Sequence, residues 1–597
     1  MARPKSPPPA PSVAIGPGAG HDRDTGARGQ MSYRQYVGYC LAVSLALIFL
    51  KLSVGSYVPA SALMADDHEY LNRSIYVVRG DLRLTGYPFS PIEYGPLYPL
   101  VLSPWMLFAH PSTRFTVVFA INAILSATAV FLGSLIVFRL TQVGSLLVPL
   151  CLASFAPLFQ FSFYAMSENL LFPLLLFVGW LIVDFEQTCN SAPKSIVLVL
   201  VALLLPLVRV PGLAVAPALP LLVWINRKRI PRRVSAAFVA GLTILVTASY
   251  LVAYRVAIQS RREESYLSSL WALLSDVNRW LFPLKLALSQ IGYLFVSTGY
   301  WVLPVLIVLG LQVRSGLEDA HRQRWINYLT YAVVAGGAFI CFALVHLIQK
   351  LNVNETGFIY GRYSDPTGLL LLVGGLAGVL ALKPPTAFQR LLLQVAAPVA
   401  LAWALGGVVG QDWTPVNQCG LSIFAMGMAP LRWLLLGSVL ATLVNQLADR
   451  TRWYAPLALT FFLVFSLVSD RQGMAYTTLR AERVAYSFEA SEWIAAHAPI
   501  DARIGYDASV LKMRVPGMPF RTMDYVYSGM MFRTYPRPSV LVDSTQKLAT
   551  VDYVYSLLPP TWEEKEEGKS LERVWYNRAY VLYRVKRPSG VTARPDT

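Results

Sequence analysis

The chain has 597 residues, of which 55% are hydrophobic and only 14% charged, with a mean hydropathy of +0.48. Soluble domains carry roughly a quarter of their residues as charges, so the composition excludes an ordinary cytosolic enzyme, a disordered chain and a small disulfide scaffold, and fits a polytopic membrane protein. The formal charge of +17 does not require nucleic acid as a partner. Much of it flanks apolar runs, where topology and membrane lipids account for it.

Residues 1–35 are rich in Pro, Gly and charge and predict a disordered cytoplasmic tail. The first apolar run, Tyr36 to about Val58, shows no small-residue cleavage site and predicts a transmembrane helix, not a signal peptide. At about 20 apolar residues per crossing, further spans begin near Phe115, Gly144, Leu170, Ser195, Gly212, Val234, Ala287, Trp325, Thr367, Leu391, Leu431 and Trp453. The stretch from Ser195 to Trp224 is broken by Pro206, Arg209 and Pro211, which predicts two short helices turning at Arg209.

The expected fold class is therefore an all-α polytopic membrane protein of about thirteen transmembrane helices, occupying residues 36–470, followed by a small α/β domain over 471–597. That tail mixes charge with strand-like runs, VDYVYSLL and YVLYRVKR, and a helix-like SFEASEWIAAHA. Basic residues gather before the first helix, in Asn226 to Arg233, around Arg314, Arg322 and Arg324, and at Arg450 and Arg452. With the amino terminus inside, all four groups fall on the cytoplasmic side of a multi-pass protein in the inner, plasma membrane. The same parity places residues 59–114, the turn before Ser167, the turn at Arg209, residues 351–366 and the α/β tail outside.

The first outer loop holds the densest chemistry. Asp66, Asp67 and Glu69 lie just beyond a membrane helix, where clustered carboxylates raise one another's pKa unless a cation or donor is near. They suit a general base with a divalent-cation ligand, or a solvated helix start favoured by the helix dipole. The segment RSIYVVRGDL suits either a plain loop or an interfacial helix, with Ile75, Val78 and Leu82 on one face and Arg73, Arg79 and Arg83 reaching water or headgroups.

Glu93 precedes a Gly-Pro turn that re-enters the membrane, and Glu168 opens an apolar helix after Ser167. Carboxylates at such depths are costly and mark function or pairing; for Glu168 a simple cap is the equal alternative. Arg209 has no acidic residue within ten positions, and Arg362 stands beside Tyr360, Tyr363 and Asp365 at another outer helix mouth. Each guanidinium suits a lipid-linked phosphate or snorkels to ordinary headgroups.

At these residues the sequence resembles the GT-C superfamily of membrane glycosyltransferases, in particular the branch of protein O-mannosyltransferases and aminoarabinose transferases. The likeness runs through Asp66-Asp67, Tyr70, Gly80-Asp81 and Glu93-Tyr94-Gly95-Pro96-Leu97, with Tyr94 where the family commonly has Lys. It spans about forty residues, with weaker echoes at Ser167-Glu168, Arg209 to Gly212, and Arg362-Tyr363. The resemblance implies a polyprenyl-phosphate sugar donor and a glycan, lipid or protein acceptor at the extracytoplasmic face. It further implies Asp66 with Asp67 as catalytic acids, and a substrate site drawn from Glu93, Tyr94, Glu168, Arg209, Tyr360 and Arg362. A divalent cation (Mg, Mn or Ca) on Asp67 and Glu168 is the corresponding cofactor expectation.

Neither a phosphate-binding Gly-Lys-Ser/Thr loop nor a Gly-x-Ser-x-Gly elbow occurs, and the six histidines form no zinc spacing. Two rivals stay open. A lipid or solute transporter would also carry intramembrane charge and broken helices, and a scaffold would leave the acidic loop without a task.

Overall fold

The computed structural model describes residues 31–56, 65–78, 95–107, 111–234, 237, 241, 275, 281–316, 319–350, 361–408, 419–420, 430–446, 451–516, 518–558 and 570–586. The amino-terminal half comprises α1 (Tyr33–Gly55), α2 (Ala65–Val78), α3 (Leu97–Leu102), α4 (Pro111–Thr141), α5 (Leu147–Ala153), α6 (Ala156–Gln160), α7 (Glu168–Val183), α8 (Phe185–Cys189), α9 (Ala192–Val208) and α10 (Ala218–Ile225). Beyond them come α11 (Leu281–Ser297), α12 (Val302–Gly316), α13 (Asp319–Lys350), α14 (Gly361–Ala381), α15 (Ala387–Val408), α16 (Pro430–Gln446) and α17 (Thr451–Ala485).

Among the described residues five helices, within α1, α4, α13, α14 and α17, are long and apolar enough to cross a membrane, or six if α11 and α12 form one bent span. The chain is a multi-pass membrane protein. The expected thirteen spans are not reached among these residues, for identifiable reasons. The run from Gly144 breaks into α5 and α6, with Pro157 opening the second, and the run from Ala287 is two helices bent 94° apart. At that bend Gly299 and Tyr300 take φ of 77° and 65°, left-handed values that end a helix. The chain past Val234, where another span is expected, lies almost wholly outside the described residues.

The bundle is organised around α14, whose apolar window is 89% buried, because Gly368, Gly374, Gly375 and Gly378 admit side chains from α11, α12 and α13. Against it pack α13, α12 and α4, and α4 carries α1 and α7 on its other sides. The short helix α7 has a carboxylate at each end, about 24 Å apart at 1.5 Å per residue. Each is clamped by two arginines. Asp184 accepts from Arg139 (3.1 Å) and Arg324 (2.7 Å) at one end, and Glu168 meets Arg209 and Arg362 at the other.

The carboxyl-terminal part begins as α17 runs 35 residues out of the bundle. It continues as α18 (Glu489–His497), β1 (Ile504–Asp507), β2 (Arg514–Val515), β3 (Met518–Thr522), α19 (Met523–Thr534), β4 (Ser539–Val542), α20 (Thr545–Leu548), β5 (Tyr553–Leu557), β6 (Leu571–Tyr576) and β7 (Tyr580–Val585). Five strands form one sheet in the order β4-β1-β5-β7-β6, parallel across β4, β1 and β5 and antiparallel through β7 to β6. The strand-like runs of the sequence are β5 and β7, and the helix-like run is α18. Buried tyrosines fill the face between sheet and helices, Tyr555 stacking on Tyr580 at 5.5 Å and Tyr527 meeting Tyr506 at a tilt, 5.1 Å away.

Candidate functional site

Three residues far apart in the chain meet at one point. Glu168 opens α7, Arg362 is the second residue of α14, and Arg209 stands where α9 ends and the chain turns into a 3-10 helix at Val210–Val215. The Arg209 break has a local cause: Pro211 and Pro217 follow, and Gly212 lies so close to Leu205 that a Cβ there would sit 2.3 Å from its carbonyl oxygen. Arg362 donates through Nε to Glu168 Oε1 and through Nη2 to Oε2 at 3.2 Å, and Arg209 Nη1 donates to Oε1.

Glu168 is 0% exposed, Arg362 1% and Arg209 7%. In contrast, the Asp184 clamp leaves side chains of Arg139 and Arg324 about a quarter to a third open, which marks it as a surface stitch. Arg209 spends one N–H on Glu168, and its guanidinium lies 4.4 Å from the centre of the Tyr363 ring. Its remaining donors can meet a second anion.

The acidic loop reaches this cluster through α2. Asp67 is fully buried. One turn on, Tyr70 donates to Ser167 Oγ at 2.6 Å, and Ser167 in turn donates to Glu168 Oε2 at 3.4 Å. Tyr70 also meets Tyr98 edge-on at 5.4 Å, and Tyr98 donates to Asn122 of α4 at 2.7 Å. Of the segment expected at the interface, residues 73–78 are described, and they form the end of α2. Arg73, expected at water or headgroups, is 1% exposed and pairs with Glu69 at 2.8 Å, and Ile75 is also buried. The reason is that α3 and the carboxyl-terminal part cover the helix. Glu69 thus finds its cation four residues along its own helix.

Asp66 lies on α2 with its side chain outside the described residues, and Glu93, Tyr94, Tyr360, Arg79, Leu82 and Arg83 also lie outside them. Gly95 presses on the end of α9, where a Cβ would stand 2.1 Å from the Leu207 carbonyl oxygen, two residues before Arg209. Gly361 presses on Tyr293, whose hydroxyl donates to Asp365 and accepts from the Gly420 N–H at 3.0 Å. Cys419, the chain neighbour of Gly420, is also buried.

The described residues do not fit the expected cation. No three of their His, Cys, Asp or Glu side chains group as a metal site, and both Glu168 oxygens already accept from arginine.

A second polar layer was not foreseen. Lys51 of α1, 2% exposed, donates to Ser126 Oγ (2.6 Å) and the Leu158 carbonyl (2.7 Å), and Asp470 of α17, 4% exposed, accepts from Gln160 at 3.4 Å. Seven residues further along α17, Thr477 shares a hydrogen bond of 2.8 Å with Tyr164. The available signal was a lone Lys inside an otherwise apolar run, LALIFLKLSV.

No family model matches the chain, and no curated protein matches it. Among solved structures it is similar to the crystal structure of ArnT from Cupriavidus metallidurans bound to undecaprenyl phosphate, with 13% identity and a TM-score of 0.49 over 92% of this chain and 98% of that one. It is similar also to the same protein in the apo state, with 13% identity and a TM-score of 0.47 over 92% and 97%.

Proposed function

We propose that the chain is an integral-membrane glycosyltransferase that moves a sugar from a polyprenyl-phosphate donor to an acceptor hydroxyl at the extracytoplasmic face of the plasma membrane. The observation that carries this reading is the buried meeting of Arg209, Glu168 and Arg362 beside the helix bearing Asp67. Two guanidiniums bound to one carboxylate form an anion site, and Arg209 retains donors for a phosphate. The acidic helix supplies the other half of the chemistry.

In this reaction the acceptor hydroxyl gives its proton to Asp66 or Asp67 as its oxygen attacks the anomeric carbon from the face opposite the leaving group. The bond from that carbon to the phosphate oxygen breaks, its electrons pass to the phosphate, and the sugar's configuration inverts. Arg209 and Arg362 stabilise the negative charge on the departing polyprenyl phosphate. Glu93, Tyr94 and Tyr360 belong to the same proposed substrate site, and the membrane aligns both substrates.

A transporter is the second reading, favoured by the ionisable pair Lys51 and Asp470 buried within apolar helices. Purified protein incubated with a labelled polyprenyl-phosphate sugar separates the two. Acceptor-dependent release of the lipid phosphate supports transfer, and unchanged donor moved between leaflets supports translocation. Asp66→Asn and Asp67→Asn, singly and together, then assign the base; undiminished transfer by the folded double variant overturns the aspartate mechanism.

A further inference from the structure

We propose that the carboxyl-terminal domain is a positioning part of the catalytic centre, holding α2, and with it Asp67, through a lock made by His68, Gly529 and Phe488. The proposal rests on the transferase reading and assigns that domain a task within it.

Gly529 lies inside α19, where glycine is a poorer helix former than alanine. The neighbours show what the absent side chain makes room for. A Cβ on Gly529 would stand 2.5 Å from His68 Cε1 and 2.5 Å from Phe488 Cε1. Both rings are about 1% exposed and face each other at 5.6 Å, so neither can swing into solvent. The imidazole of α2 is therefore seated directly on the backbone of α19, and its chain neighbour is Asp67.

A second set of contacts fixes α19 to the membrane bundle. Arg114 at the start of α4 donates through Nη1 to the Phe532 carbonyl (3.0 Å) and through Nη2 to the Tyr535 carbonyl (2.5 Å). These acceptors lie at the end of α19, where a helix leaves carbonyls without partners and attracts positive charge. Phe115 packs on Phe532 at 5.0 Å, and the Arg533 guanidinium lies over both Phe115 (4.8 Å) and Phe488 (4.5 Å). With α19 anchored on α4, the spacing at Gly529 sets the position of α2. One methyl group there must displace a ring by about 1 Å to restore van der Waals contact.

Displacements of that size at a reacting group cost up to about a hundredfold in rate. Gly529→Ala should lower kcat by roughly tenfold to a hundredfold while the donor KM stays within about threefold, because the arginine cluster stands on membrane helices. Amides of residues 65–78 should exchange hydrogen faster in the same variant. Adding His68→Ala removes one of the two rings and leaves room for the other, Phe488, to yield to the methyl, so the double variant should exceed Gly529→Ala in kcat and regain protection of residues 65–78.

A Gly529→Ala protein with wild-type kcat and wild-type exchange overturns the lock, as does a double variant no better than Gly529→Ala in both. If Gly529→Ala cannot be purified, recovery of folded double variant supports the lock and failure to recover it overturns it. Should the wild-type protein transfer no sugar, the transferase reading falls, and the exchange measurement still decides whether α19 positions α2.

Discussion

Replacing Glu168 with glutamine tests whether the arginine cluster is held together by charge. The amide keeps the side chain's shape and volume but removes the negative charge that accepts from Arg209 and Arg362. All three residues are below 9% exposure, so two buried guanidiniums would lose the carboxylate that holds them together. Removing one partner of a buried ion pair typically costs about 3–5 kcal/mol, most of it the penalty of the charge left behind.

Two effects should follow. In detergent the apparent melting temperature of Glu168→Gln should fall by several degrees relative to wild type. A phosphate-bearing lipid supplies the missing anion, so polyprenyl phosphate should raise the variant's melting temperature more than it raises that of wild type, by mass action on the folded state. Thermal unfolding with and without the lipid reads both. A variant that melts with wild type and gains no more from the lipid would refute the claim that the cluster is an anion site neutralised by Glu168.

Three further perturbations have defined outcomes. Gly95→Ala would drive a methyl group into the Leu207 and Val208 carbonyls of α9; overpacking against backbone costs about 1–3 kcal/mol or more, so thermal stability and transfer should both drop. Tyr70→Phe deletes the hydrogen bond to Ser167, worth about 1 kcal/mol, and should reduce turnover several-fold in a protein that purifies and melts normally. Lys51→Met and Asp470→Asn should each destabilise the bundle, and the double variant should lose less than the sum of the two, because each single change strands one buried charge; additive losses would show that the two side chains do not interact.

The features legible in the sequence are those that depend on a residue's own chain neighbourhood. An arginine between Pro206 and Pro211 in an apolar stretch announces both a helix break and an unsatisfied charge, and the break falls at Arg209. A Ser-Glu pair ahead of an apolar run announces a helix start, and α7 begins at Glu168. What such reasoning could not supply was the partner. Glu168 could be a cap or a site acid as far as the sequence goes, because its cations lie 41 and 194 residues away.

The helix α2 shows the same limit from the other side. In the sequence, the alternation of Ile75 and Val78 with Arg73 and Arg79 suits an interfacial helix, but amphipathicity records only that two faces differ, not what covers each. Here the polar face is buried too. Glu69 neutralises Arg73, Tyr70 reaches Ser167, and His68 is covered by Gly529 and Phe488 from a segment more than 400 residues later in the chain. A helix that buries His, Asp, Glu and Arg together must satisfy them through geometry that both flanking bodies define. Such a helix keeps its position only while membrane bundle and carboxyl-terminal domain stay in register, which ties the placement of Asp67 to contacts made far along the chain.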